Sequence, residues 1–354
     1  MADWTSTMQQ TFEYYVVDPG TWKDKKKIDT VISSRISRDL EAETLGSASI
    51  SITESLGECY IRMYLITIQN GIRERHPLGT YMVQTPSYSF DGKVKNITMD
   101  AYTPLIELKE KHPPLGYSIR KDENIMARAY SIMREQMRGP VVQTTKDTKL
   151  HHNFIANLDD TWISFTRDLI SNADMRLELD ELGRVLFAPE QELESLQPIW
   201  TFDTGNSSIL YPSFDIQHDL YGIPNEVEVI YSNGTTSSSI TVINDDPNSP
   251  VSTVSRGRRI THRITNPSVV GKPSEAELKE YAKRMLKSLS SIEYTVTYTH
   301  GYCPVRVGDC VRLNYEAAGI RNVKAKIVSQ TIECVPGCPV TEKAVFTSNL
   351  WDGV

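Results

Sequence analysis

The chain has 354 residues, of which 39% are hydrophobic and 23% are charged. These values are close to the globular average and argue against wholesale disorder, and the length suits two or three domains. Lysine and arginine number 38 against 45 acidic residues, a net charge of −7, which argues against specific nucleic-acid recognition. Residues 1–10 are polar and no segment has the ~18 consecutive apolar residues that span a bilayer, so we expect no membrane anchor.

The first third of the chain has the pattern of β-strands. Residues 48–52 and 97–101 alternate between apolar and polar side chains, and residues 60–68 are rich in β-branched and aromatic residues. We predict consecutive antiparallel hairpins that close into a small β-barrel, because closure hides strand edges. Turn-forming sequences separate the strands at Asp18-Pro19-Gly20, Asn70-Gly71 and Asp91-Gly92.

Helical periodicity marks the middle of the chain. Apolar residues recur at helical spacing over residues 124–137, before a Gly-Pro pair that cannot continue a helix. A second helix is predicted over residues 159–172, with Asp159 or Asp160 as its N-cap. Both helices are expected to pack against a hairpin with strands at residues 176–179 and 185–188.

The last third returns to strands around one further helix. Ser274 and Glu277 have the spacing of a capping box, which predicts a helix over residues 274–288. Residues 232–239 and 244–250 are polar and predict loops. Strands are expected at residues 226–231, 292–299, 311–315, 323–332 and 344–347.

The predicted fold class is α+β and mainly β. Two β-barrel domains flank an α+β domain, and the second barrel carries the inserted helix. The predicted domains are residues 1–105, 106–205 and 206–354.

No motif for hydrolysis, nucleotide binding or a zinc protease occurs in the sequence. The acidic pairs Asp159-Asp160 and Asp245-Asp246 could serve as acid and base, but helix caps or turns explain both. We therefore expect a protein that is not an enzyme, with no catalytic and no cofactor-binding residue.

Four of the five cysteines lie in the last 52 residues, at Cys303, Cys310, Cys334 and Cys338. Cys-x₃-Cys across a Pro-Gly turn has the spacing of a zinc knuckle, and a second pair would complete a site for zinc or an iron–sulfur cluster. The spacing Cys-x₆-Cys of the first pair is wider than usual. Buried thiols are the favoured interpretation, since free cysteine is among the most buried residue types, and no cofactor is expected.

The densest positive run lies within residues 256–263. It could contact passing DNA or an acidic neighbour, but charge runs are usually solvated faces, which is the favoured interpretation. Its members are Arg256, Arg258, Arg259, His262 and Arg263.

Several stretches, in chain order, resemble the baseplate hub proteins of contractile-tailed phages, defective prophages and phage-tail-like bacteriocins (tailocins). The most specific are the L-x-x-D-x-x-G hairpin within residues 175–187 and the sequence LYGIPNEVEVIY at 220–231. Thr103 stands where an aspartate is common in the family. The other stretches are GSASISI at 46–52, ITMDAYTPL at 97–105 and VRVGDCVRL at 305–313.

The resemblance implies two barrels related to the tail-tube subunit and a homotrimer that presents six barrels. Such a symmetry adaptor would join the sixfold tail tube to the threefold central spike of a contractile injection system. The implied partners are the tail tube protein, the spike, other baseplate proteins and the tape measure. The implied location is the baseplate of a virion or tail particle, assembled in the bacterial cytoplasm. Two alternatives stay open: a tail-associated cell-wall hydrolase, and a distal tail protein or type VI secretion-like spike component.

Overall fold

The computed structural model describes residues 2–54, 56–90, 92, 95–218, 220–232, 237–265 and 274–349. Asp91 of the predicted Asp91-Gly92 turn and residues 233–236 of the predicted loop lie outside this part. The chain divides into two compact units, one of Met1–Phe214 with Thr297–Ala344 and one of Asp215–Val296 with Val345–Val354. The boundaries of these two units differ from the predicted domain boundaries. The domains 1–105, 106–205 and 206–354 stay a prediction.

The first seven strands form an antiparallel sheet in the order β3-β4-β7-β6-β5-β1-β2. Asn70 and Gly71 join β5 to β6 with φ of 51° and 76°, as the Asn-Gly pair predicts for a tight hairpin. The predicted run of consecutive hairpins is wrong at two connections. β2 pairs with β1 and not with β3, and β4 pairs with β3 and β7 and not with β5. The strands are β1 (Gln9–Val17), β2 (Asp24–Ile28), β3 (Val31–Asp39), β4 (Gly46–Ile52), β5 (Cys59–Gln69), β6 (Ile72–Phe90) and β7 (Lys95–Tyr102).

Inward-facing residues of these strands form one core because side chains alternate along a strand. On β4, the apolar residues at positions 48, 50 and 52 are buried and the serines between them are partly exposed. The hydroxyls of Tyr14 on β1 and Ser34 on β3 lie 2.9 Å apart in this core. We call this part of the chain the first β region.

An α+β segment follows, with its own hydrophobic core. Helix α2, which the apolar spacing predicted over residues 124–137, spans Ile125–Gln136 and has Asn124 as its N-cap. The predicted N-cap of α3, Asp159 or Asp160, is wrong: the Thr161 side chain accepts from Ser164 N in a capping box. Asp160 instead accepts from Asn157 N at 2.7 Å. The elements are α1 (Ile106–Lys109), β8 (Ser118–Ile119), α2 (Ile125–Gln136), β9 (Phe154–Ile155), α3 (Trp162–Ser171), β10 (Met175–Leu179) and β11 (Val185–Pro189).

The last part of the chain contains mostly strands. Helix α5 (Glu275–Leu289) begins at the predicted capping box of Ser274 and Glu277. It packs on strands β14 (Glu226–Ser232) and β15 (Ser237–Ile243). The remaining helices are α4 (Thr253–Arg256) and α5 (Glu275–Leu289). The strands are β12 (Trp200–Phe202), β13 (Leu210–His218), β14 (Glu226–Ser232), β15 (Ser237–Ile243), β16 (Thr261–Thr265), β17 (Ser291–Gly301), β18 (Cys310–Tyr315), β19 (Ile320–Glu333) and β20 (Pro339–Asn349).

The fold class is confirmed, since strands dominate and helices are few. Within the described ranges, no helix is both long enough and apolar enough to cross a bilayer.

Candidate functional site: the hairpin junction and its buried network

The β10–β11 hairpin ends in a turn, residues 180–183, that its own side chains fix. The buried carboxylate of Asp180 accepts hydrogen bonds from the backbone nitrogens of Leu182 at 3.0 Å and Arg184 at 2.8 Å. It also accepts from Nε of Arg184 at 2.5 Å. Gly183 has a φ of 73°, a conformation that strains any residue with a Cβ atom. The aspartate and glycine of the L-x-x-D-x-x-G motif are therefore both needed for this turn.

The turn packs against the first β region, and we call this contact the hairpin junction. Nε1 of Trp22 donates to the carbonyl oxygen of Leu182 at 2.7 Å. Nη2 of Arg62 donates to the same oxygen at 3.2 Å. A Cβ atom at Gly183 would lie only 2.9 Å from Cβ of Thr80, so the glycine permits the close approach.

Glu181, also in this turn, faces two arginines. Its Oε1 lies 3.9 Å from Nη1 of Arg38, and its Oε2 forms an ion pair with Nη2 of Arg306. Arg38 also donates from Nη2 to the carbonyl oxygen of Leu78 at 2.5 Å and from Nη1 to Oε1 of Gln330 at 2.8 Å. Glu181 is 12% exposed and Arg38 is 15% exposed, so solvent screens their attraction little. The junction thus combines backbone hydrogen bonds with partly buried charge.

Gln330 connects Arg38 to a second polar group around Glu342, which is fully buried. Nε2 of Gln330 donates to Oε1 of Glu342 at 2.8 Å, and the hydroxyl of Tyr298 donates to Oε2 at 2.6 Å. Nε2 of His300, also fully buried, lies 3.2 Å from Oε1. We call Glu342, Tyr298, His300 and Gln330 the buried network. Burial beside the Glu342 carboxylate raises the pKa of Tyr298 well above its ordinary value.

The two ring nitrogens of His300 face different groups. Nδ1 of His300 lies 2.7 Å from the carbonyl oxygen of Gly301. A carbonyl oxygen can only accept a hydrogen bond, so Nδ1 is the nitrogen placed to donate to it. Nε2 is therefore the nitrogen that faces Glu342.

The four cysteines that could form the zinc or iron–sulfur site are all buried, but they do not share one set of neighbours. Cys334 and Cys338 belong to the core of the first β region. Sγ of Cys303 lies 3.9 Å from Nδ1 of His300, and Cys310 lies at the start of β18. In the part of the chain that the structure describes, no three or more His, Cys, Asp or Glu residues group in a way that could hold a metal. The zinc and iron–sulfur alternative gains no support from this arrangement.

Burial also governs the chemistry of these thiols. It raises the pKa of Cys334 to about 11 and raises the pKa values of Cys303 and Cys338 further. A thiol must lose its proton to act as a nucleophile or metal ligand. Their location therefore fits the favoured interpretation of buried thiols that pack as small apolar side chains.

The basic cluster of residues 256–263 lies in the second unit, and two of its arginines form ion pairs with glutamates of the same unit. Arg259 pairs with Glu226 at 3.0 Å, and Arg263 pairs with Glu228 at 2.7 Å. Arg256 donates from both Nη atoms to backbone carbonyls within residues 220–223, each at 2.9 Å. These contacts favour a structural role for three of its arginines.

Asn225, which belongs to the LYGIPNEVEVIY motif and precedes β14, holds the backbone of the basic cluster in place. The residue is fully buried. Its Oδ1 accepts from the backbone nitrogen of Ile260 at 2.7 Å, and its Nδ2 donates to the carbonyl oxygen of Arg258 at 2.9 Å. Its own carbonyl oxygen accepts from the backbone nitrogen of Asn244 at 2.8 Å. Through its side chain and its backbone carbonyl, this one residue thus connects three segments of the second unit.

The sequence prediction missed the buried network. One signal was present, because Val340, Glu342 and Ala344 alternate along β20 and all three face inward. A carboxylate at an inward position of a strand predicts a buried partner. The partners themselves lie on other strands, so their identity could not follow from this local pattern.

Solved structures with a similar fold include phage tail proteins. The tail protein from Neisseria meningitidis MC58 aligns with a TM-score of 0.60 and 12% identity, over 95% of this chain and 96% of its own. The 43 kDa tail protein of prophage MuSo2 from Shewanella oneidensis aligns with a TM-score of 0.60 and 12% identity, over 95% and 98%. A chain of the Francisella PdpA-VgrG complex aligns with a TM-score of 0.54 and 8% identity, over 96% of this chain and 53% of its own.

No protein-family model and no curated protein matches the sequence. At such low identities the structural likeness establishes the fold alone. The chain has the fold of phage tail proteins, and the resemblance that the sequence motifs indicated is confirmed at that level.

Proposed function

We propose that the chain is a structural hub in the baseplate of a contractile phage tail or a phage-tail-like particle. In this role, three copies form a ring that adapts the sixfold tail tube to the threefold central spike. The observation that carries the proposal is the fold, since two phage tail proteins align over 95% of this chain and over nearly all of their own length. A fold alone can host several functions, so the role requires a direct test.

The arrangement of the polar groups supports a structural role without catalysis. At the hairpin junction, Asp180 and Glu181 are held by partners within the chain. In the buried network, Glu342 is fully buried with Tyr298 and Gln330 as donors. A catalytic acid or nucleophile must reach a substrate, and these groups are turned towards each other instead.

Partners in the proposed hub are the tail tube protein, the spike and other baseplate proteins, and the particle baseplate is its location. The trimer is a closed ring, which fits the preference of soluble oligomers for point-group symmetry. The hub acts through geometry, with its surfaces shaped to bind a sixfold partner on one side and a threefold partner on the other.

The mass of the purified protein under native conditions tests the trimer. The proposal expects about 120 kDa, from three chains of 40.0 kDa each. An image of the intact particle should then locate the trimer between the tube and the spike. A monomer or a hexamer would contradict the hub, and lysis of bacterial cell walls by the purified protein would favour the hydrolase alternative.

One alternative gains support from a specific likeness, to a chain of the Francisella PdpA-VgrG complex. In this alternative, the chain is a component of a type VI secretion-like spike. This chain covers 53% of that longer chain, so an extra partner or domain would have to supply the rest. Pull-down of the purified trimer with a phage tail-tube protein, against a secretion-tube protein as competitor, distinguishes the two.

A further inference from the structure

Two turns of the α+β segment each present a leucine to solvent. Leu115 is 86% exposed and Leu158 is 82% exposed. The turns 114–117 and 157–160 are each closed by a backbone hydrogen bond, of 2.9 and 3.3 Å. Tight turns favour Gly, Pro, Asn, Asp and Ser, so a large aliphatic side chain at the tip of each turn is unusual. Exposed apolar groups that cluster in this way mark interaction sites.

The two turns lie side by side because they extend from the same pair of strands. Ser118 of β8 pairs with Ile155 of β9, and the backbone nitrogen of Ala156 donates to the carbonyl oxygen of Tyr117 at 3.0 Å. The antiparallel register brings the two chain segments that lead to the tips next to each other. We call Leu115 and Leu158 the leucine knob.

The same unit also has a cleft of about 140 Å³ at the surface of the first β region. Val16, Cys59 and Met82 contribute apolar lining, and the charged residues Lys25, Glu58 and Arg138 are at its rim. We call it the Cys59 cleft. Cys59 is partly exposed, in contrast to the four buried cysteines.

The knob has an acid beside it, whereas the cleft carries two cations and one acid. Asp159, next to Leu158, is exposed. Lys25 at the cleft is 69% exposed, and its ion pair with Asp18 is long, at 4.0 Å. The other rim cation, Arg138, already pairs with Glu58 at 3.8 Å. Lys25 is therefore the cation most able to meet a carboxylate from outside.

A closed ring of three identical chains is built from head-to-tail contacts, so each copy must present two different surfaces that fit each other. An apolar protrusion beside an acid and a cleft with apolar lining and a lysine at its rim meet that requirement. We propose that the leucine knob of one copy inserts into the Cys59 cleft of the next copy, with Asp159 facing Lys25. This inference rests on the proposed trimer and names the contact that closes it.

Cysteine cross-linking on the full chain tests the contact directly, because the cleft already contains a thiol. In a Leu158→Cys variant, mild oxidation should join the new thiol to Cys59 of the neighbouring copy and give dimer and trimer bands on a non-reducing gel. A disulfide requires Cα atoms within about 7 Å, so the cross-link reports direct contact. The double variant Leu158→Cys, Cys59→Ser should lose these bands. Ile72→Cys, at a site 65% exposed on the β5–β6 hairpin, should not form them.

Substitutions that spare the fold provide a second readout. Leu115→Ser with Leu158→Ser should weaken trimer association on the order of tenfold or more, because the centre of an interface carries most of its affinity. Both sites are exposed, so circular dichroism of the variant should match that of the wild type. Asp159→Lys should also weaken the trimer, and adding Lys25→Asp should restore part of the loss.

The outcomes separate this contact from the hub proposal. A wild-type protein that is monomeric would overturn both the trimer and the contact. A trimeric wild type whose Leu158→Cys variant gives no cross-link through Cys59, or whose leucine variants associate as before, would overturn the contact and leave the hub in place.

Discussion

At the scale of single residues, Glu342 shows how a buried charge is retained. It receives two hydrogen bonds, so removing it leaves the Tyr298 hydroxyl without its acceptor and leaves Gln330 Nε2 with the Val305 carbonyl alone. We expect Glu342→Ala to lower the free energy of unfolding by about 2–4 kcal/mol, because two buried donors lose a charged acceptor. Tyr298→Phe deletes one donor and should cost about 1–3 kcal/mol. Urea titrations followed by tryptophan fluorescence measure both.

A matched control lies next to Glu342 on the same strand. Lys343 is exposed, and Lys343→Ala should change the free energy of unfolding by less than about 0.5 kcal/mol. A Glu342→Ala protein that is as stable as this control would show that the buried network contributes nothing net to stability.

The same reasoning applies to Asn225, which satisfies two backbone groups of a neighbouring segment. Asn225→Ala should cost about 2–3 kcal/mol, because the backbone nitrogen of Ile260 and the carbonyl oxygen of Arg258 lose their partner. Hydrogen exchange at residues 258–265 should increase more than elsewhere in the chain. Equal protection of that segment in both proteins would contradict the role given to this side chain.

At the scale of elements, the hairpin junction depends on Gly183. Gly183→Ala places a Cβ atom 2.9 Å from Thr80 in addition to the strain of a φ of 73°. Gly116 has a φ of 75° and open space around it, so Gly116→Ala reports the backbone strain alone. We expect about 1–2 kcal/mol for Gly116→Ala and a clearly larger loss for Gly183→Ala. Equal losses in thermal unfolding would mean that the close approach at the junction is not required.

Elements with local signals were predictable, and the junction between them was not. Ser274 and Glu277 marked the start of α5, and Asn70-Gly71 marked a hairpin, because caps and tight turns depend on adjacent residues. The partners of Leu182 at the junction, Trp22 and Arg62, lie 160 and 120 residues away. No local pattern specifies such pairs. The N-cap of α3 was misplaced because Asp160 and Thr161 are both good caps and only backbone geometry chooses between them.

At the scale of the whole molecule, buried tyrosines and cysteines make stability sensitive to alkaline pH. Burial raises the pKa of Tyr81 to about 12, and the pKa values of Tyr14, Tyr60 and Tyr302 are raised as well. In the unfolded chain, thiols lose their protons near pH 9.0 and phenols near 10.0, while the folded chain keeps them. The unfolded state then binds fewer protons, so stability falls as pH rises above about 9.

The size of this alkaline effect can be assigned to single groups. Each group that stays protonated only in the folded state removes up to about 1.4 kcal/mol per pH unit between its unfolded and folded pKa values. Below about pH 8, a unit under the ordinary thiol pKa of 9.0, these groups are nearly all protonated in both states and contribute almost no slope. Tyr302→Phe removes one such group, so its unfolding midpoint in urea should fall less steeply with pH above 10.0 than that of the wild type. A wild-type midpoint that stays constant through this range would contradict the assignment, because it would mean that the buried phenols and thiols ionise as readily in the folded chain as in the unfolded one.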